Sequence, residues 1–97
     1  LADMKTDIEA SRMLTWKSAS EADVGVKNTE SAAHAKRFAS DAAMKISTDA
    51  VQVYGGYGYS EEYPVARLMR AAKVMQIYEG SSQVQRMIIG REITKDF

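Results

Sequence analysis

The sequence predicts an all-α helical bundle. Three observations carry this reading: apolar residues recur at helical spacing, the glycines and the single proline fall between those segments, and no alternating strand pattern of useful length occurs. The chain has 97 residues, 45% hydrophobic and 27% charged, with 13 basic side chains against 13 acidic ones. That length and balance describe one small domain, residues 1–97, and no run approaches the ~20 apolar residues of a membrane span. Zero net charge removes the long-range field that draws proteins to phosphate backbones, so no nucleic acid is expected as partner. There is no cysteine and one histidine, His34, so thiolate chemistry is excluded, a Ser/His/Asp site would rest on one ring, and no metal site is expected.

In the first segment Leu1, Met4, Ile8, Ala19 and Ala22 fall on one side, and Ala10, Met13 and Leu14 form a second. A helix with two apolar sides is expected between two neighbours. Leu1-Ala2-Asp3-Met4 already sits in the helical pattern without a capping residue ahead of it, as in a chain that continues a longer one, and no secretory signal is visible there. Gly25, suited to a left-handed position, ends the segment within Asp23 to Asn28.

Asn28 or Thr29 is expected to cap a second helix running to about Tyr54, with Ala35, Ala39, Ala42, Ile46 and Val53 as its inner stripe. Its many alanines favour helix and allow backbones to approach closely. Gly55-Gly56 stops it, and Gly55 to Ser60 reads as a glycine and tyrosine loop. Pro64 opens a short helix through Val65, Leu68, Met69 and Ala72. Val74 to Tyr78 reads as a buried connector. Ser81 or Ser82 starts the last helix, with Val84, Met87, Ile88 and the stem of Arg91 facing inward.

Two stretches can carry chemistry. Glu79, between Ile77-Tyr78 and Gly80, is either a carboxylate answering the positive end of the last helix or a base whose water is stripped by apolar neighbours. Gln52-Val53-Tyr54-Gly55-Gly56-Tyr57-Gly58 is either a helix stop and turn or a glycine segment open to close approach by a ligand. It lacks the preceding strand of a dinucleotide fingerprint. Arg67, Arg70 and Lys73 read as a solvated basic face, His34 as a packing or surface residue, and Trp16 as a core or interface side chain.

Together these segments resemble the C-terminal helical domain of the acyl-CoA dehydrogenases, of the short- and medium-chain kind. That family carries Gln-x-x-Gly-Gly-x-Gly-aromatic followed by Glu-Tyr-Pro. Here stand Gln52, Gly55, Gly56, Gly58, Tyr59 and Glu62-Tyr63-Pro64. The family continues with Arg-Asp-Ala-Lys and Ile-Tyr-Glu-Gly-Thr-Ser-Gln-Ile-Gln-Arg, matched by Arg70-Ala71-Ala72-Lys73 and by Ile77 to Arg86. Ala71, Ser81 and Val84 replace the usual Asp, Thr and Ile. The order and spacing of both motifs make the likeness specific across essentially the whole chain.

The resemblance implies α,β-dehydrogenation of acyl-CoA thioesters on FAD, as in fatty acid β-oxidation. Glu79 matches the base that removes the α-proton while a hydride leaves the β-carbon for the flavin. The oxyanion donors implied are the backbone N–H of the base and a flavin ribityl hydroxyl. Tyr78 and Gly80 match substrate-contacting positions; Ser81, Ser82 and Gln83 match residues at the cofactor. Gln52, Val53, Tyr54, Gly55 and Gly56 match the segment that reaches the cofactor of a neighbouring subunit, which implies a homo-oligomer, a tetramer in the full-length family. An electron-transfer flavoprotein is implied as acceptor, with bacterial cytoplasm or mitochondrial matrix as compartment. Against the family pattern this bundle lacks its first helix, so the chain alone is expected to be inactive. An acyl-CoA oxidase-type relative and an isolated, self-associating helical module remain as alternatives.

Overall fold

A computed structural model describes residues 1–96. Five helices follow in order: α1 (Ala2–Asp23), α2 (Thr29–Tyr54), α3 (Gly56–Tyr59), α4 (Pro64–Met75) and α5 (Ser82–Thr94). Among the described residues there is no strand, and no helix is long and apolar enough to cross a membrane. The 26-residue α2 is the axis of the fold. α1, α3, α4 and α5 all pack on it, while α1 touches neither α4 nor α5, and α4 does not touch α5.

This arrangement explains what is buried. Among the described residues the apolar interior consists of Ala33, Ala35, Ala42, Val65 and Ala72, and no large side chain is fully buried. Alanines let the outer helices lie close to α2, but small residues cannot by themselves make a deep core. The body measures 51 × 22 × 20 Å with a radius of gyration of 15.6 Å. A compact domain of this length would have about 13 Å.

Several expectations change for the same reason. α1 has one neighbour rather than two, so Met13 and Trp16 are exposed, the Trp16 ring lying 6.0 Å from the Arg12 guanidinium carbon. On α2, Ala35 and Ala42 are inside, but Val53 lies on the open side. The stretch from Val74 to Tyr78 is not a buried connector. Val74 and Met75 complete α4, and Ile77 and Tyr78 are 59% and 49% exposed, because α2 covers one side of this stretch and, among the described residues, no element covers the other. α5 also turns differently: Ser82 and Gln85 face α2, Ile88 is half-buried, and Val84, Met87 and Arg91 face out. Polar bonds to α2 and to the preceding loop, rather than apolar periodicity, set that rotation.

The helix ends show their own chemistry. Gly25, at φ 75°, takes the left-handed position after α1. Asn28 precedes α2 but does not cap it with its side chain. Its amide instead donates to the carbonyl and hydroxyl oxygens of Ser18, tying the start of α2 to the end of α1. The glycine and tyrosine stretch contains a one-turn helix, α3, where a loop is expected. Gly58 fits against α2 because a Cβ there would lie 2.5 Å from the Val51 carbonyl oxygen. Edge-to-face contacts of Tyr63 with Tyr54 and Tyr57, at 6.2 and 5.8 Å between ring centres, brace this corner before Pro64 opens α4.

Candidate functional site

The turn between α4 and α5 is held by side chains from both α2 and α5. Glu79 has φ 56°, the sole positive φ of a non-glycine among the described residues, and Gly80 follows at 91°. Two successive left-handed residues reverse the chain sharply, and for glutamate that conformation costs about 1–2 kcal/mol. Such a conformation persists where neighbours over-determine it.

Those neighbours are on α2 and α5. Lys36 Nζ donates to the Met75 carbonyl oxygen at 2.6 Å and to the Gly80 carbonyl oxygen at 3.3 Å. Gln85 Nε2 donates to the same Gly80 oxygen at 3.1 Å, and a Cβ on residue 80 would meet that nitrogen at 2.6 Å. Asp41 closes the other end: its Oδ1 accepts from Gln76 Nε2 at 2.7 Å and Ser82 Oγ at 2.8 Å, and its Oδ2 from Arg86 at 3.3 Å. The Ser82 N–H donates to the Gln76 carbonyl oxygen at 3.0 Å, so the two ends of the turn are bonded to each other as well. Burial alone would raise the Asp41 carboxyl. The bonds from Gln76 and Ser82 and the charges of Arg86 and Arg37 outweigh it and hold Asp41 below the usual carboxylate range.

Held this way, the turn presents Tyr78, Glu79 and Gln83 to the outside, with Gly80 and Ser81 part-exposed. Ser81 caps α5, its Oγ accepting from the Val84 N–H at 3.3 Å, which leaves its own O–H available. Among the described residues the N–H groups of Glu79, Gly80, Ser81 and Gln83 have no acceptor. A cluster of free donors at the positive end of a 13-residue helix suits an acceptor-rich or anionic ligand. Ser82 differs from the others: it is 4% exposed and its hydroxyl is spent on Asp41.

Gln52, Val53, Tyr54, Gly55 and Gly56 lie exposed at the far end of α2. Beside both glycines the Cβ position is open space, so a ligand or another chain can approach the backbone there. The fold does not bring this segment to the Glu79 turn. Lys36, under the turn, and Gly55 are separated by about 28 Å along the helix at ~1.5 Å per residue.

Residues 1–94 match the family described as "Acyl-CoA dehydrogenase, C-terminal domain". The chain belongs to the acyl-CoA dehydrogenase family. The family's enzymes are FAD-dependent oxidoreductases. The chain is 60% identical over 90 residues to the short-chain specific acyl-CoA dehydrogenase of Megasphaera elsdenii, covering 93% of this chain and 24% of that protein. It is 54% identical over 96 residues to the cyclohexane-1-carbonyl-CoA dehydrogenase of Geobacter metallireducens, covering 99% of this chain and 25% of that one. Its fold is similar, at TM-score 0.96 and 52% identity, to a chain in the solved structure of the electron transferring flavoprotein of Acidaminococcus fermentans, covering 98% of this chain and 25% of that one. The chain thus spans about a quarter of the length of the relatives it matches.

Within this acyl-CoA dehydrogenase domain, sequence reasoning singled out the motif but not its supports. Lys36 and Asp41 received no role, because each reads as an ordinary charge on an alanine-rich helix. The available signal was their place beside the alanines of the inner stripe, where a solvated charge is out of pattern. Arg67, Arg70 and Lys73 are exposed as expected, and His34 is half-buried with its Nε2 3.4 Å from a Glu30 carboxylate oxygen.

Proposed function

We propose that this chain provides the catalytic base and part of the cofactor surface of an enzyme that dehydrogenates acyl-CoA thioesters between the α- and β-carbons. The observation that carries the proposal is the enforced conformation of Glu79: an exposed carboxylate on a strained turn, pinned by Lys36 and Asp41 of α2, Gln76 just after α4, and Ser82 and Gln85 of α5. Glu79 takes the α-proton as the α C–H bond breaks, the electron pair forms the new carbon–carbon double bond, and a hydride leaves the β-carbon. FAD, when bound, supplies the ring that accepts this hydride. The Glu79 N–H, free within the domain, is available to the thioester oxygen as charge develops there.

Tyr78 and Gly80 would border the substrate. The residues of the α5 start fit a flavin in part. Ser81, part-exposed, and Gln83, exposed, offer donors, whereas Ser82 acts through its bond to Asp41, so its side chain supports the surface rather than contacting the cofactor. Gln52 to Gly56 is too far from Glu79 to grip the same part of one cofactor, and its open glycines suit the cofactor of a second copy in a homo-oligomer. The names of the two curated relatives support a compact acyl group, short-chain or alicyclic. An electron-transfer flavoprotein as acceptor is supported by the A. fermentans likeness, and a bacterial cytoplasmic setting by the relatives' bacterial sources.

The test is anaerobic mixing of a complete dehydrogenase carrying this domain with butyryl-CoA and with cyclohexane-1-carbonyl-CoA. Bleaching of the flavin absorbance is expected with at least one, followed by fast reoxidation by an electron-transfer flavoprotein and slow reoxidation by oxygen. Fast reoxidation by oxygen would make it an oxidase, and no bleaching by any acyl-CoA would reject the proposal.

A further inference from the structure

We infer that Lys36 is the positioning residue for Glu79, acting through the carbonyl of Gly80; this rests on the reading of Glu79 as the base. The ammonium of Lys36 is satisfied in an unusual way. It forms no ion pair with any carboxylate among the described residues. Its partners are the Met75 and Gly80 carbonyl oxygens and the face of the Tyr78 ring, whose centre is 5.8 Å away. These three groups bracket Glu79 in sequence: Met75 ends α4, Tyr78 precedes the carboxylate and Gly80 follows it.

A single nitrogen bonded to both carbonyls fixes the distance across the turn. Residues 76 to 79 must then bridge two anchored points, and the left-handed φ of Glu79 is the conformation that closes the arc. Gln85 sets the direction of the Gly80 carbonyl but does not reach Met75, and Asp41 ties Gln76, inside the bracket, to Ser82, beyond it. Asp41 thus also spans Glu79, over the arc from Gln76 to Ser82, whereas Lys36 is the support that holds the carbonyl of Gly80, the residue next to Glu79, together with a carbonyl on its N-terminal side. Without it the turn can relax towards negative φ at Glu79 and carry the carboxylate away from its substrate. Misplacement of a reacting group by 1 Å can cost ~10²-fold in rate.

The experiment compares Lys36→Met, Lys36→Gln and Lys36→Arg in a complete, flavin-loaded dehydrogenase carrying this domain, reading kcat, KM, thermal midpoint and amide hydrogen exchange of residues 76–82. Met and Gln cannot bridge two carbonyls with a charged donor, whereas the guanidinium fork of Arg can. The expected result for Met and Gln is a kcat lower by about 10- to 100-fold with KM changed less than about threefold, flavin retained and faster exchange at the Ser82 amide. Arg should recover at least part of both losses. A kcat within about threefold of the parent in Met or Gln, or an Arg variant no better than Met, would overturn the inference. If only one of the Met and Gln variants folds, that one decides. If Glu79→Gln proves active, the base assignment fails by itself, and the exchange rate at Ser82 in the Lys36 variants still decides whether Lys36 holds the turn.

Discussion

Ser82 Oγ donates to Asp41 Oδ1 across 2.8 Å, and this bond joins the first residue of α5 to the middle of α2. It puts a polar residue at the centre of a helix contact that the apolar pattern assigned to Val84 and Met87. Because Asp41 also holds Gln76 and Arg86, one carboxylate sets the rotation of α5 and the mouth of the Glu79 turn together.

Asp41→Ala should therefore destabilise the domain. It leaves the Ser82 hydroxyl, 4% exposed, without its acceptor, which costs about 1–3 kcal/mol. A fall of several degrees in thermal midpoint is expected, and a variant as stable as the parent would show that the bond contributes nothing.

Acid should act through the same residue. The native Asp41 carboxyl lies below its unfolded value, so its contribution is present above the ordinary aspartate pKa of ~3.9 and is lost as pH falls from there through the native value. Urea unfolding between pH 6 and pH 2.5 should show a stability loss that is shallower in Asp41→Asn. Equal slopes in the two proteins would remove Asp41 from the acid response.

Glu79→Gln in a complete dehydrogenase should keep the flavin and lose turnover, since the amide keeps the shape and cannot take a proton. General-base catalysis contributes ~10²–10⁴-fold. A variant keeping more than about a tenth of the parent rate, well inside that margin, is incompatible with Glu79 as the base.

The glycines should differ in a way their spacing does not reveal. At Gly58 a Cβ would sit 2.5 Å from the Val51 carbonyl oxygen and 2.7 Å from the Tyr54 Cβ, so Gly58→Ala must displace α3 and should cost about 1–3 kcal/mol. Gly90 is inside α5 with open space around its Cβ position, and Gly90→Ala should stabilise by about 0.5–1 kcal/mol. Chemical denaturation of both variants tests the contrast, which fails if their effects share a sign.

The 97-residue chain by itself should be helical, self-associate and bind FAD weakly. Among the described residues no large side chain is fully buried, while Leu1, Met13, Trp16, Leu68 and Met87 are all more than half exposed. Burying such surface against another copy gains roughly 25 cal/mol per Å². The donors at Ser81 and Gln83 offer about 0.5–1.5 kcal/mol per hydrogen bond, against an association cost of at least ~4 kcal/mol. Sedimentation and calorimetry with FAD decide this: a monomer with micromolar flavin affinity would contradict it.

By itself the sequence determined the four longer helices, their order and most of their ends, though not the one-turn α3. Gly25, Gly55, Pro64 and Ser81 act on the few residues around them, through permitted φ, a missing N–H or a capping hydroxyl, and such effects are written locally. The two motifs likewise located the Glu79 turn and the glycine segment, because each lies within a dozen consecutive residues. Only the tertiary structure decided which faces are inside. Burial depends on which helices meet, and here α2 meets all the others while they scarcely meet one another, so Ile77, Val84 and Met87 stay exposed and Gln85 is buried. It also decided that Lys36 and Asp41 hold the turn. Lys36 stands 44 residues from Gly80 and Asp41 41 from Ser82, and hydrogen bonds across such separations exist only once the chain has folded back to bring donor and acceptor within about 3 Å.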